Sequence, residues 1–287
     1  MRPDDQLDRD HSPSVLMAEA DAGDGEAAHH LALMSASGLA RPQDWTEALS
    51  RLRQAADHGH ELAARTAAFL GASPDVRAWI TPPSPVVLSA TPHVLAITDF
   101  VSPEACDWLI ERARPWLKAA EVYDPDTGGA LIETSRTNTS ATFDVLDCDL
   151  VMMLLRERIA RAAGLPVVGL EPVHILNYAV GQAFKPHHDW LDADIPGHSQ
   201  DLHERGQRIA TFLLYLNDDY EGGETEMETI GLRHRARKGD ALFWANVKPD
   251  GRIDPATRHA GLPPTSGEKW VYSQWLRNRA PRYLIGG

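Results

Sequence analysis

His187 and Asp189 stand two apart in the segment 178–189, YAVGQAFKPHHD, and His259 and Lys269 follow much further on. Side chains two apart on an extended strand point to the same face, so His187 and Asp189 share one, while His188 between them points away and is excluded as a ligand. Two imidazoles and one carboxylate are the set that holds non-haem Fe(II) and leaves positions on the metal open for oxygen chemistry. A lysine beyond the second histidine offers a compact cation to an acidic co-substrate. A His-x-Asp pair says little by itself; the later histidine and lysine give it weight.

Strands must position these side chains. VHILNYAV, RIATFLLYLN, DALFWAN and WVYSQWLR combine β-branched and aromatic residues with turn signals at their ends. Gly222-Gly223 and Gly239-Asp240 read as turns between them, with no catalytic role. Upstream, HVLAITDFVS alternates like a strand. A helix follows it, with Ser102 as N-cap, Pro103 at its first position and an apolar face at Cys106, Leu109 and Ile110. DLVMMLLRERIARAAGLP is a second amphipathic helix, stopped by Gly164. Helices first and strands after point to an α+β chain. The expected core is a double-stranded β-helix (jelly roll, cupin-like) with supporting helices.

The chain has 287 residues, 41 acidic and 28 basic, for a formal net charge of −13. That balance argues against nucleic acid or an anionic membrane as partner. Cys106 and Cys148 lie in no CxxC or Cys/His cluster, and neither a leader nor a membrane-length apolar run is visible. The expected setting is cytoplasmic. Residues 1–13 are polar and expected to be disordered. Residues 14–70 are alanine-rich and helical, with helices over 27–37 and 45–56 and a third from about residue 61. Residues 71–91, with Pro74, Pro82, Pro83 and Pro85, read as a linker or extended wrap. Residues 92–287 form the main domain.

Two resemblances follow. GDGEAAHHLALMSASGLARPQDWTEALSRLRQAADHGHELAA resembles a Sel1-like repeat, a relative of the tetratricopeptide repeat, over little more than one unit. From about 92 to 280 the motifs RTNTSATF, NYAVGQAFKPHHDW, GQRIATFLLYLND, EGGETEM, KGDALFWANVKPDG and RHAGLPPTSGEKWVYSQWL stand in one order, and the chain resembles a prolyl 4-hydroxylase-type Fe(II)/2-oxoglutarate dioxygenase. The resemblance implies that His187, Asp189 and His259 hold the iron, and that Lys269, Tyr178 and Thr211 serve 2-oxoglutarate. It implies substrate contacts at Arg136, Arg208 and Trp275. It implies Fe(II), 2-oxoglutarate and O2 as cofactor and co-substrates, with ascorbate as reductant. The expected reaction couples oxidative decarboxylation of 2-oxoglutarate to hydroxylation of a C–H bond, foremost of a prolyl residue in a peptide or protein. A free amino acid or other small metabolite is the alternative substrate, and a non-catalytic protein that merely retains a metal is the alternative class. Phe184 departs from the family's tyrosine three residues before the first histidine, which removes a hydroxyl from the substrate side. The chain also carries an insertion around 195–204 relative to close members of that family, bordering the entrance.

Overall fold

The structure is a computed structural model that describes residues 12–123, 130, 131 and 133–279. The expected disordered segment lies outside the described residues as far as residue 11; Ser12 already caps a helix. In chain order the elements begin with α1 (Pro13–Asp21), α2 (Gly25–Ser37), α3 (Trp45–Asp57), α4 (Glu61–Leu70) and α5 (Val76–Ile80). Then come β1 (Val86–Ala90), β2 (His93–Ile97), α6 (Pro103–Ala113), β3 (Lys118–Ala119), β4 (Val122–Tyr123), β5 (Ala130–Leu131) and β6 (Thr139–Phe143). Next are α7 (Leu150–Ala163), β7 (Val173–Tyr178), β8 (Phe184–His187), α8 (Pro196–Arg205) and β9 (Arg208–Tyr215). The chain continues through β10 (Glu221–Gly222), β11 (Thr225–Met227), β12 (Leu232–His234), β13 (Ala241–Ala245), β14 (His259–Gly261), β15 (Pro264–Ser266) and β16 (Lys269–Arg277).

Two compact units are drawn from discontinuous stretches. The first gathers the helices before Pro82 and the segment Phe143–Val168, which carries α7. Its helices start on side-chain caps: Asp24 accepts from the N–H groups of Glu26 and Ala27, and Asp44 from those of Thr46 and Glu47. Buried alanines (Ala28, Ala32, Ala48, Ala55, Ala63) let the helices approach closely. The stretch read as a linker carries α5 and β1. No helix of the described residues is long and apolar enough to cross a membrane.

The second unit holds the sheets. An eight-stranded sheet has the order β1-β2-β13-β9-β16-β7-β6-β3, and a four-stranded one the order β12-β11-β14-β8. Val94, Tyr215, Leu242, Trp244 and Val271 from the large sheet pack with Met227 of the small one, joined by Leu232 of β12. Such burial of the inner faces of two antiparallel sheets makes a sandwich core. The helix after β2 begins as read, with Ser102 accepting from the Ala105 N–H, and Gly164 ends α7 in the left-handed region at φ 65°.

Candidate active site

Period-two alternation builds the cavity wall. Lys269, Val271, Ser273 and Trp275 of β16 all line one cavity, together with Leu176 and Tyr178 of β7 and Thr211 and Leu213 of β9. The small sheet closes it with Phe184 and His187 of β8, His259, Ala260 and Gly261 of β14, and Thr225 of β11; Asp189 and Arg136 complete the lining. The volume is about 460 Å³, counting the part open to solvent.

Strand pairing sets His187 directly opposite His259. The carboxylate two residues past His187 then meets both rings: His187 Nε2 lies 3.6 Å from Asp189 Oδ1, and His259 Nε2 lies 3.4 Å from Asp189 Oδ2. The Nδ1 atoms are spent elsewhere, on the Lys185 carbonyl at 2.8 Å and the Thr257 carbonyl at 3.0 Å. An imidazole that donates from Nδ1 to a carbonyl presents the bare Nε2 lone pair that a metal needs. The three ligand atoms lie within 4.8 Å of one another. Burial pushes the His259 imidazole down to about 4, so it is neutral at pH 7, as a ligand must be. Burial alone would raise the Asp189 carboxyl; His259, His187 and the Thr211 hydroxyl more than reverse this and hold it well below the carboxylate range. Donor set, tautomer and charge all fit Fe(II). His188 turns away to the Pro255 carbonyl at 3.1 Å, outside the triad.

Lys269 stands opposite Tyr178 on the neighbouring strand. It is 2% exposed, and its Nζ donates to the Gly223 carbonyl at 2.6 Å. Among the described residues no carboxylate forms an ion pair with it. Burial pushes its ammonium down from 10.5 to about 7, with Glu224 opposing. An unbalanced cation buried in a cavity is expensive unless an anion arrives. The Tyr178 and Tyr215 rings lie 5.4 and 5.5 Å from Nζ.

Thr211 lines the cavity, but its hydroxyl is committed: it donates to Asp189 Oδ2 at 2.7 Å and accepts from Asn246 Nδ2 at 2.9 Å. Its contact is therefore with a metal ligand. Arg136 is buried in the lining, its guanidinium 4.7 Å above the Phe184 ring, which in turn stacks on His187 at 3.5 Å. Trp275 lines the cavity. Arg208 does not; it pairs with Glu171 through two bonds of 2.7 and 2.8 Å and lies 3.9 Å over the Trp275 ring. The structure thus gathers every expected residue except Arg208 into the cavity, and sets Arg208 behind Trp275.

Sequence reasoning missed Gly223, Asn246 and Glu171. Gly223 was read as turn punctuation, yet its carbonyl receives Lys269. A Cβ there would come 3.3 Å from Lys269 Cδ and 3.0 Å from the Tyr220 ring, at a φ of +68°. The glycine doublet was the available signal. Asn246 and Glu171 gave none, since their partners are distant in the chain.

Residues 173–277 match a family described as the 2OG-Fe(II) oxygenase superfamily. Prolyl 4-hydroxylase 1 of Arabidopsis thaliana is 34% identical over 68% of this chain and 72% of its own length. Prolyl 4-hydroxylase subunit alpha-1 of Gallus gallus is 35% identical over 67% of this chain, but the match spans only 37% of that longer subunit. Among solved structures, the viral collagen prolyl hydroxylase vCPH from Paramecium Bursaria Chlorella virus-1 in its 2OG complex is 26% identical. That match covers 63% of this chain and 94% of the viral one, with a TM-score of 0.49. With its motifs in order, its triad assembled, the family match over 173–277 and the Arabidopsis thaliana relative at 34% identity, the chain belongs to the prolyl 4-hydroxylase-type 2OG-Fe(II) oxygenase family and is an Fe(II)- and 2-oxoglutarate-dependent dioxygenase.

Proposed function

We propose that this dioxygenase hydroxylates a prolyl residue in a peptide or protein. The observation that carries the reading is one cavity holding both a His-Asp-His triad and a buried lysine without a carboxylate partner among the described residues. Fe(II) held by His187, Asp189 and His259 supplies the oxygen activation that couples decarboxylation to C–H hydroxylation. The chain's own groups do the rest. Thr211 holds the Asp189 carboxylate in place, and the Lys185 and Thr257 carbonyls orient the two rings. Lys269, braced by Gly223, receives the distal carboxylate of 2-oxoglutarate, with Tyr178 opposite it on the facing strand as a second contact. Arg136, Phe184 and Trp275 form the wall that meets the substrate. Ascorbate serves as reductant. Residues 14–70 are read as a Sel1-like helical hairpin packed on itself; the paired helices α2 and α3 support that reading.

A second reading, a free amino acid or other small carboxylic acid as substrate, is favoured by one observation. Arg136 is a second buried cation in the cavity, in no ion pair with a carboxylate among the described residues, and its neighbour Phe184 offers no hydroxyl. Mass spectrometry separates the two. Proline-containing peptides and free amino acids are incubated with the protein, Fe(II), ascorbate and 2-oxoglutarate. A peptide that gains one oxygen atom on proline, with loss of the gain in His187→Ala, supports the first reading. Oxygenation confined to free amino acids would sink it and establish the second.

A further inference from the structure

The chain leaves the metal site at Asp189 and returns to the cavity wall on β9; between the two it makes the excursion that carries α8. One side chain closes the base of this excursion. Gln207 accepts from the Leu191 N–H at 2.7 Å and donates to the Leu191 carbonyl at 2.7 Å. Arg277, at the end of β16, fills its interior. Its Nη2 donates to Asp201 of α8 at 2.6 Å, its Nη1 to the Gly206 carbonyl at 2.6 Å, and its Nε to Glu171. Glu171 carries Arg208, and Arg208 lies on the Trp275 ring that lines the cavity. Arg205 adds a bond to Asp201 at 2.6 Å. Five groups thus alternate in sign: Arg205, Asp201, Arg277, Glu171, Arg208.

We propose that Arg277 is a positioning residue for substrate: it ties α8 to Glu171, and through Glu171 it holds Arg208 over the Trp275 ring, so that a single ion network sets this part of the cavity wall. The inference rests on the reading of this cavity as the place where substrate binds. Apolar packing could fill the same space, but it has no direction. Guanidinium and carboxylate forks fix both distance and plane, and a guanidinium stacked on an indole fixes the plane of the ring. Arg277 is 3% exposed and makes contacts on three sides, to α8, to the loop at Gly206 and to Glu171. Arg208 has its charge answered by Glu171. It therefore acts on substrate through Trp275 rather than by pairing with an acidic group.

The test is run on the full chain labelled with 5-fluorotryptophan and loaded with Zn(II), which avoids paramagnetic broadening. Trp275→Phe identifies the Trp275 fluorine resonance. Arg277→Gln is expected to shift or broaden that resonance and to leave Trp45, in the helical unit, unmoved. Asp201→Asn removes one arm of the network with little change of shape and is expected to do the same more weakly; it carries the test if Arg277→Gln does not fold. In the iron enzyme, Arg277→Gln is expected to raise KM for a proline-containing peptide about tenfold, with kcat and the KM for 2-oxoglutarate within about twofold of wild type. Arg277→Lys restores part of that loss. A Trp275 resonance that stays in place in both network variants overturns the proposal, as does a lowered Tm with an unchanged peptide KM. The fluorine result needs no substrate, so it stands even if the proposed peptide activity fails.

Discussion

Replacing Lys269 by methionine has two opposite consequences that can be worked from the structure. The wild-type ammonium is buried beside one carbonyl, and its lowering from 10.5 to about 7 corresponds to a cost of about 5 kcal/mol where it must stay charged. The sign follows from proton counts. Below pH 7 both folded and unfolded chains hold the proton, so the cost is felt in full. Between 7 and 10.5 the folded chain releases the proton and the unfolded chain keeps it, so wild-type stability rises with pH across that window. Methionine removes the cost but leaves the Gly223 carbonyl without its donor, a loss of about 1–3 kcal/mol. In the absence of 2-oxoglutarate, Lys269→Met is therefore expected to be more stable than wild type by about 2–4 kcal/mol at pH 6, with the advantage fading toward pH 10. Affinity for 2-oxoglutarate moves the other way. Loss of a buried charge partner costs about 3–5 kcal/mol, which is roughly a 10²- to 4 × 10³-fold rise in KM. Urea denaturation across pH measures the first effect, and succinate formation against 2-oxoglutarate concentration the second. A variant less stable than wild type at pH 6, or a KM within threefold of wild type, would refute the assignment of Lys269.

Two further outcomes are expected. Thr211→Val deprives Asp189 of its hydroxyl donor and strands the Asn246 amide; metal affinity, followed by Fe(II) titration of activity or Zn(II) calorimetry, should fall about 10- to 100-fold. Glu171→Gln leaves Arg208 and Arg277 facing a neutral amide and should destabilise the fold by about 3–5 kcal/mol. Burial opposes ionisation of Glu171, but Arg208 and Arg277 hold it down at about 2 from an ordinary 4.5. Its contribution is therefore present above pH 4.5 and lost as pH falls through 2, about 3 kcal/mol in all. Denaturation between pH 5 and 2 should show a loss in wild type that is smaller by about 3 kcal/mol in the glutamine variant, the remainder coming from other depressed carboxylates such as Asp189.

Much of the fold was legible because it is local. Ser102-Pro103 starts α6 and Gly164 stops α7, each for a reason confined to one helical turn. The strands over 173–178, 208–215, 241–245 and 269–277 match the stretches rich in β-branched and aromatic residues. α1, α5 and α8 were not anticipated as separate helices. Their stretches are short: α5 is only five residues set between Pro74 and Pro82, and in α8 proline and polar residues blur the helical period.

The candidate site divides in the same way. Residue types and the two-residue spacing of His187 and Asp189 pointed to a facial triad, since alternation along a strand is a property of the backbone, and the family resemblance named its three members. Only the pairing of β8 with β14 brought His259 across to them. Arg208 was read as a substrate contact, and nothing near it in sequence said otherwise. Its partner Glu171 lies 37 residues earlier, and Arg277 approaches that same carboxylate from 106 residues beyond it. Thr211 was assigned to 2-oxoglutarate and spends its hydroxyl on Asp189, 22 residues away. The sequence alone determined which chemistry is present, because ligand type and strand period are written residue by residue. Only the tertiary structure decided which buried charge answers which, because that depends on the strands and loops that become neighbours when the sheets close.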